Sequence, residues 1–132
     1  MFYEVALQVN KINEKGEEKT ISEKYIVDAT LFAEAEEKGL CLYNGECDVT
    51  AIKRSKITEI INEKEFNKHF FKAIVFDVLT NDNGDEKEID YHILVCAKDV
   101  KDATEKTLEW IKQGYNMELK SISRTKFLDC LK

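Results

Sequence analysis

Two histidines and four cysteines are the side chains of this chain best suited to hold a transition metal, and their spacing assembles no ligand set. A structural zinc site needs four ligands, usually supplied as close pairs. His69 and His92 belong to no such set, and Cys41 and Cys47 are too far apart for a C-x-x-C pair. The stretch Asn81-Asp82-Asn83-Gly84-Asp85 is rich in oxygen ligands, but the D-x-[DN]-x-[DN]-G spacing of a calcium loop is broken and no closing Glu follows. It reads as a hairpin turn. No G-x-S-x-G presents a nucleophile, and no glycine-rich loop cradles a phosphate. The paired carboxylates Glu17-Glu18, Glu36-Glu37 and Asp85-Glu86 fall in turns or on helix faces, where solvated charge is their ordinary use. The expectation is a protein that is not an enzyme, with no metal and no cofactor.

One constellation of charge is different. Arg54 and Lys56 are separated by one residue, a spacing that on a strand points both to the same face, and Arg124 and Lys126 repeat it. Two such pairs fit an anion, a phosphodiester backbone or an acidic partner surface. The competing reading is that they guard exposed strands against edge-to-edge association. A formal charge of −6 opposes general affinity for nucleic acid unless the acidic groups are segregated onto helices and turns, as Glu34, Glu36 and Glu37 are placed to do.

The elements that must carry these residues come in two copies. Val27 and Val95, Ala29 and Ala97, Ala35 and Ala103, and Glu37 and Glu105 coincide at one spacing. Residues 51–57, AIKRSKI, lie against 121–127, SISRTKF, and the opening Phe2-Tyr3-Glu4-Val5 is matched to Phe71-Lys72-Ala73-Ile74. Alternation at Tyr3, Val5, Leu7 and Val9, then at Ile21, Tyr25 and Val27 around Lys15-Gly16, predicts a hairpin. Ile74, Phe76 and Val78 with Ile89, Tyr91, Ile93 and Val95 predict another, turning at Asn83-Gly84.

A helix follows each hairpin. The first runs from about Thr30 to Lys38, burying Phe32, Ala35 and Leu40; the second is capped by Asp99, striped by Val100, Ala103, Thr107, Leu108 and Ile111, and ended by Gly114. A long closing strand, 49–61 and 119–131, completes each unit and returns parallel to the strand before the helix, beside the first strand. The fold class is α+β: a tandem duplication of a β-β-α-β unit, with antiparallel or mixed sheets each covered by one helix, related by a pseudo-two-fold. Residues 1–61 and 70–132 are the two repeats of a single domain, and 62–69 is their joint. The face away from the helices is expected to carry Ala6, Ile26 and Ile52 in one unit, and Phe71, Ala73, Val75, Leu94 and Ile122 in the other. So apolar a surface points to sheets that cover one another or to a homodimer or higher oligomer.

Composition bounds the setting. The chain has 132 residues, 43% of them hydrophobic and 35% charged, enough apolar material for a packed core. No apolar run approaches a membrane span, and Met1-Phe2-Tyr3-Glu4 lacks the basic and apolar regions of a signal peptide, so a cytoplasmic protein with packed, reduced thiols is expected. Proline is absent and Lys, Glu, Ile and Asn abound, the usage of an AT-rich genome.

The aromatic opening strand, the EKYIVDATLFAEAE segment, the closing strand VTAIKRSKITEI and the later YHILVCAKDVKDATE together resemble domain of unknown function 4494, over nearly the whole chain. That family occurs in Bacteroidetes and in their phages and mobile elements, and it carries no catalytic residues to transfer. The resemblance implies only a context, a small phage-borne or prophage-borne protein; the function expected in that context is a non-enzymatic accessory in the host cytosol that binds a host protein or sequesters a small anionic molecule. A single-stranded nucleic-acid-binding accessory using Arg54, Lys56, Arg124 and Lys126 is the alternative.

Overall fold

The structure, a computed structural model, describes residues 1–61, 69–114 and 116–131. Its elements are β1 (Phe2–Ile12), β2 (Glu18–Asp28), α1 (Phe32–Cys41), β3 (Asp48–Arg54), β4 (Ile57–Ile61), β5 (His69–Thr80), β6 (Glu86–Ala97), α2 (Val100–Ile111), β7 (Glu118–Arg124) and β8 (Phe127–Leu131). The protein is α+β, with one helix to each of two mixed sheets, as a duplicated β-β-α-β plan requires. Of the joint 62–69, His69 opens β5, and the remainder lies outside the described residues.

Each closing strand is not one strand but two. The breaks fall at Ser55-Lys56 and Thr125-Lys126, where Ser55 N–H donates to the Phe2 carbonyl at 2.9 Å and Thr125 N–H to that of Phe70 at 3.0 Å. The sheets therefore have four strands instead of the expected three, in the orders β3-β1-β2-β8 and β4-β6-β5-β7. Taken from its other edge, the second sheet is β7-β5-β6-β4. Each repeat thus keeps its first three strands and gives its last to the other sheet. The compact units are accordingly Met1–Ser55 with Lys126–Lys132, and Lys56–Thr125, a division that departs from the sequence repeats at the two breaks. β8 runs parallel to β2 and β4 parallel to β6, covering strand edges that a three-stranded sheet would leave unpaired.

Register fixes the equivalences. Tyr3 lies opposite Val27 and Phe71 opposite Val95, so Tyr3 corresponds to Phe71, a shift of 68. The sequence match at the opening, which set Phe2 against Phe71, is one residue out. In a strand one residue exchanges the faces, and Phe71, Ala73 and Val75 pack with Ala103 of α2 instead of facing away from it. Ile52 and Ile122, opposite Val5 and Ala73, also belong to the helix-side clusters. Ile26 and Leu94 do lie on the far face, fully buried.

Fine detail is repeated as well. Both hairpins turn on an asparagine whose side-chain oxygen accepts two backbone N–H groups, Asn13 from Lys15 and Glu17 and Asn81 from Asn83 and Asp85. Gly16 and Gly84 close these turns at φ 78° and 83°, a conformation costly for any residue with a Cβ. At the helix starts, Glu34 accepts from Thr30 N–H and Asp102 from Lys98 N–H. One turn on, Lys38 and Lys106 pair with those carboxylates at 3.3 and 3.2 Å and donate to the carbonyls of Asp28 and Cys96 at the end of the neighbouring strand.

The buried stripes of the helices are narrower than the sequence implied. Ala35 and Gly39 are buried in α1, and Ala103 and Thr107 in α2. Phe32, Val100 and Leu108 stay 51%, 52% and 43% exposed, although the Phe32 ring meets Tyr3 edge-on at 4.9 Å. A Cβ on Gly39 would lie 3.2 Å from a Val5 methyl, so α1 sits close on β1. The equivalent helix residue of the second repeat is Thr107, and the strand residues equivalent to Val5 and Leu7 are Ala73 and Val75. Volume has moved from strand to helix, which keeps the layer filled.

Candidate functional site

The break in each closing strand decides where the four nominated cations go. Arg54 ends β3 in the first unit while Lys56 precedes β4 in the second; Arg124 ends β7 in the second unit while Lys126 precedes β8 in the first. Neither pair shares a strand face, because the backbone leaves the ladder between its members. Within the first unit, Arg54 and Lys126 are associated with opposite edge strands, three inter-strand spacings or about 14 Å apart. Arg54 Nε lies 2.9 Å from Met1 Sδ, and Arg124 lies 3.0 Å from His69 Nδ1 at the equivalent place. Within each unit, the two cations it holds are associated with opposite edge strands of its sheet.

The structure does bring together groups that spacing did not announce. In the first unit Glu23 of β2 is 7% exposed, on the helix side of the sheet among Val9, Tyr25 and Val27. Its carboxylate accepts from the Tyr25 hydroxyl at 3.2 Å, from the Tyr43 hydroxyl, and from Lys11 Nζ at 3.5 Å. The Lys11 ammonium also stands 5.9 Å from the centre of the Tyr43 ring. Burial first, then the Glu23 charge, pushes the Tyr25 phenol well above its ordinary range, and burial followed by Asp48 and Glu23 raises the Cys47 thiol. Both groups are thereby kept protonated, and Cys47 is held away from the thiolate that a nucleophile requires. The second repeat has Tyr91 and Ile93 where the first has Glu23 and Tyr25. The signal for this network was parity: Glu23 occupies an inward position between Ile21 and Tyr25.

The second unit carries two features of its own. One is an open pocket of about 560 Å³ between β4 and α2, lined by Glu59, Ile60, Ile61, Lys106, Glu109, Trp110 and Gln113. The other is on the far face of the sheet, where His92 Nδ1 is buried without a hydrogen-bond partner. Burial and the ammonium groups of Lys72 and Lys56 keep its imidazole below the usual histidine range, with Asp90 acting the other way. Among the described residues no cluster of three or more His, Cys, Asp or Glu side chains is arranged to hold a metal ion, and the four cysteines form no disulfide. Among the described residues no helix is long and apolar enough to cross a membrane.

Fold and sites define a duplicated α+β protein whose repeats exchange their closing strands, with a buried carboxylate network in one unit and an orphaned imidazole in the other. The whole chain, residues 1–132, matches the family described as Domain of unknown function (DUF4494), and the protein belongs to that family. Neither the curated proteins nor the solved structures contain a match.

Proposed function

We propose that the protein is a non-enzymatic accessory that works by binding a partner protein, and that in the phage or mobile-element setting implied by the resemblance this partner is a host protein met in the host cytosol. The supporting observation is the free end of each central hairpin. β3 pairs with β1 only over residues 3–8, and β8 with β2 only over residues 24–27, so the hairpin beyond them is a two-stranded ribbon. In the second unit the flanking pairs cover residues 71–76 and 92–95, and the rest again projects as two strands. A two-stranded ribbon is marginal in water without further packing. These ribbons nevertheless expose Ile12 at 76% and Ile21 at 39%, and Val78 at 45% and Leu79 at 51%. Exposed apolar side chains beside strand edges that are unpaired among the described residues match the chemistry by which an extended segment or sheet edge of a partner is added.

Charge favours a protein partner over nucleic acid. Twelve acidic against nine basic residues in the first unit, and fourteen against eleven in the second, leave both units equally acidic. A phosphodiester needs a concentrated basic field. The test is affinity capture from the source cell with wild type and with an Ile12→Lys, Leu79→Lys double variant. Wild type retains a specific partner through high-salt washes and the variant releases it, with thermal midpoints that agree; equal retention by both removes the ribbons from the interface. Molecular mass in solution tells a second copy of the chain, the homodimer expected from the sequence, from a different protein.

A further inference from the structure

His92 stands out because its partner is missing. It alternates on β6 with Tyr91 and Ile93, which join the helix-side cluster, so its ring lies on the sheet face away from α2. Among the described residues, its Nδ1 is the single buried side-chain nitrogen or oxygen without a hydrogen bond. Native proteins leave few such atoms unpaired, and a bound water or ion is the usual completion.

Two lysines flank it. On β5, Ile74 is directly opposite His92, and Lys72 is opposite Leu94, one diagonal step away on the same face, about 7 Å at the Cβ atoms. On the other side β4 pairs Ile57 with His92, and Lys56 immediately precedes Ile57. Neither Lys56 nor Lys72 has an ion-pair or hydrogen-bond partner among the described residues, whereas Lys11, Lys38, Lys106 and Lys120 are all paired. The nearby Asp90 carboxylate is already engaged by Lys120 at 3.2 Å. A chain of net charge −6 thus keeps two uncompensated ammonium groups beside an unsatisfied ring nitrogen.

The first repeat supplies a comparison. At the positions of His92, Lys72 and Lys56 it has Lys24, Glu4 and Lys126. Glu4 there offsets one of the two lysines, whereas in the second unit no carboxylate occupies any of the three positions and both lysine charges stand. Of the four cations singled out in the sequence, Lys56 is the one that contributes.

We propose that His92, Lys56 and Lys72 form a site for a phosphate-type oxyanion, with His92 Nδ1–H donating one hydrogen bond and the two ammonium groups supplying charge-assisted ones. The site lies wholly within the second unit and does not depend on the hairpin ribbons, so either reading can fail without the other.

Only two histidines occur in the chain, so the ring nitrogens of His92 are resolved by nuclear magnetic resonance. Titration of the full chain with inorganic phosphate, at ionic strength held constant with chloride, is expected to shift the His92 ring signals saturably. Lys56→Ala and Lys72→Ala each weaken that binding by about tenfold or more, the loss of one charge-assisted contact, while Lys126→Ala, the equivalent position of the first unit, leaves it unchanged. A parallel titration with adenosine monophosphate separates the sources: tighter binding than inorganic phosphate assigns the anion to a phosphoryl group on a larger molecule, and weaker binding to free phosphate. The proposal is overturned if chloride alone reproduces the shift, if no saturation occurs, or if both lysine variants bind as wild type does. An imidazole that responds to no anion has a water as its partner, which also overturns it.

Discussion

At the scale of single residues, the protein places its polar groups by what surrounds them more than by motif. Glu34 shows this at the surface. Hydrogen bonds from the Thr30 backbone and hydroxyl, and then from Lys38, hold its carboxyl at about 2, well below the ordinary value of 4.5. A depressed carboxyl stabilises the fold above its unfolded value, and the contribution disappears as pH falls from about 4.5 toward 2. Acid unfolding of wild type should therefore steepen across that window, and Glu34→Gln should flatten that part of a urea-midpoint profile against pH. Glu23 shows the same principle in the interior. Tyr25→Phe removes a hydroxyl that donates to a nearly buried carboxylate and should cost about 1.5–3 kcal/mol in equilibrium unfolding. A change below about 0.5 kcal/mol would mean that Tyr43 and Lys11 suffice for Glu23.

At the scale of elements, the two repeats solve one packing problem in two ways. α1 meets Val5 and Leu7 with Gly39, and α2 occupies the corresponding layer with Thr107, whose hydroxyl donates to the Ala103 carbonyl at 2.8 Å. Gly39→Val should destabilise the first unit by about 1–3 kcal/mol, since branched bulk there enters a space already 3.2 Å from Val5, and Val5→Ala in the same chain should recover part of the loss. Additive losses in that double variant would show that Val5 is not the obstacle. Much of this level was legible in the sequence: alternation marked both hairpins, and Asp99 marked the start of α2, where it accepts from Asp102 N–H at 2.8 Å. Face assignment in the second hairpin was not. Phe70 and Phe71 are both apolar, so composition alone could not choose between registers one residue apart, and pairing with β6 made the choice.

At the scale of the whole molecule, the consequential feature is that each unit is closed by a strand from the other repeat. A chain ending at Thr125 lacks β8, and hydrogen exchange should then speed up at Tyr25, Ile26 and Val27 of β2, far away in sequence, while β5 to β7 keep their protection. Loss of protection in β7 instead would contradict the exchange of strands. By itself, the sequence determined the duplication, the element types, the inward residues of the first hairpin and the absence of a recognisable catalytic motif, because periodicity, turn chemistry and capping are local and survive in a one-dimensional pattern. Tertiary structure alone decided which sheet β4 and β8 join, and hence that Arg54 parts from Lys56 and that Lys56 comes beside His92. Both AIKRSKITEI and SISRTKFLDC read as unbroken strands, and the turn out of the ladder at Ser55 and Thr125 arises from hydrogen bonds to Phe2 and Phe70, partners more than fifty residues distant along the chain.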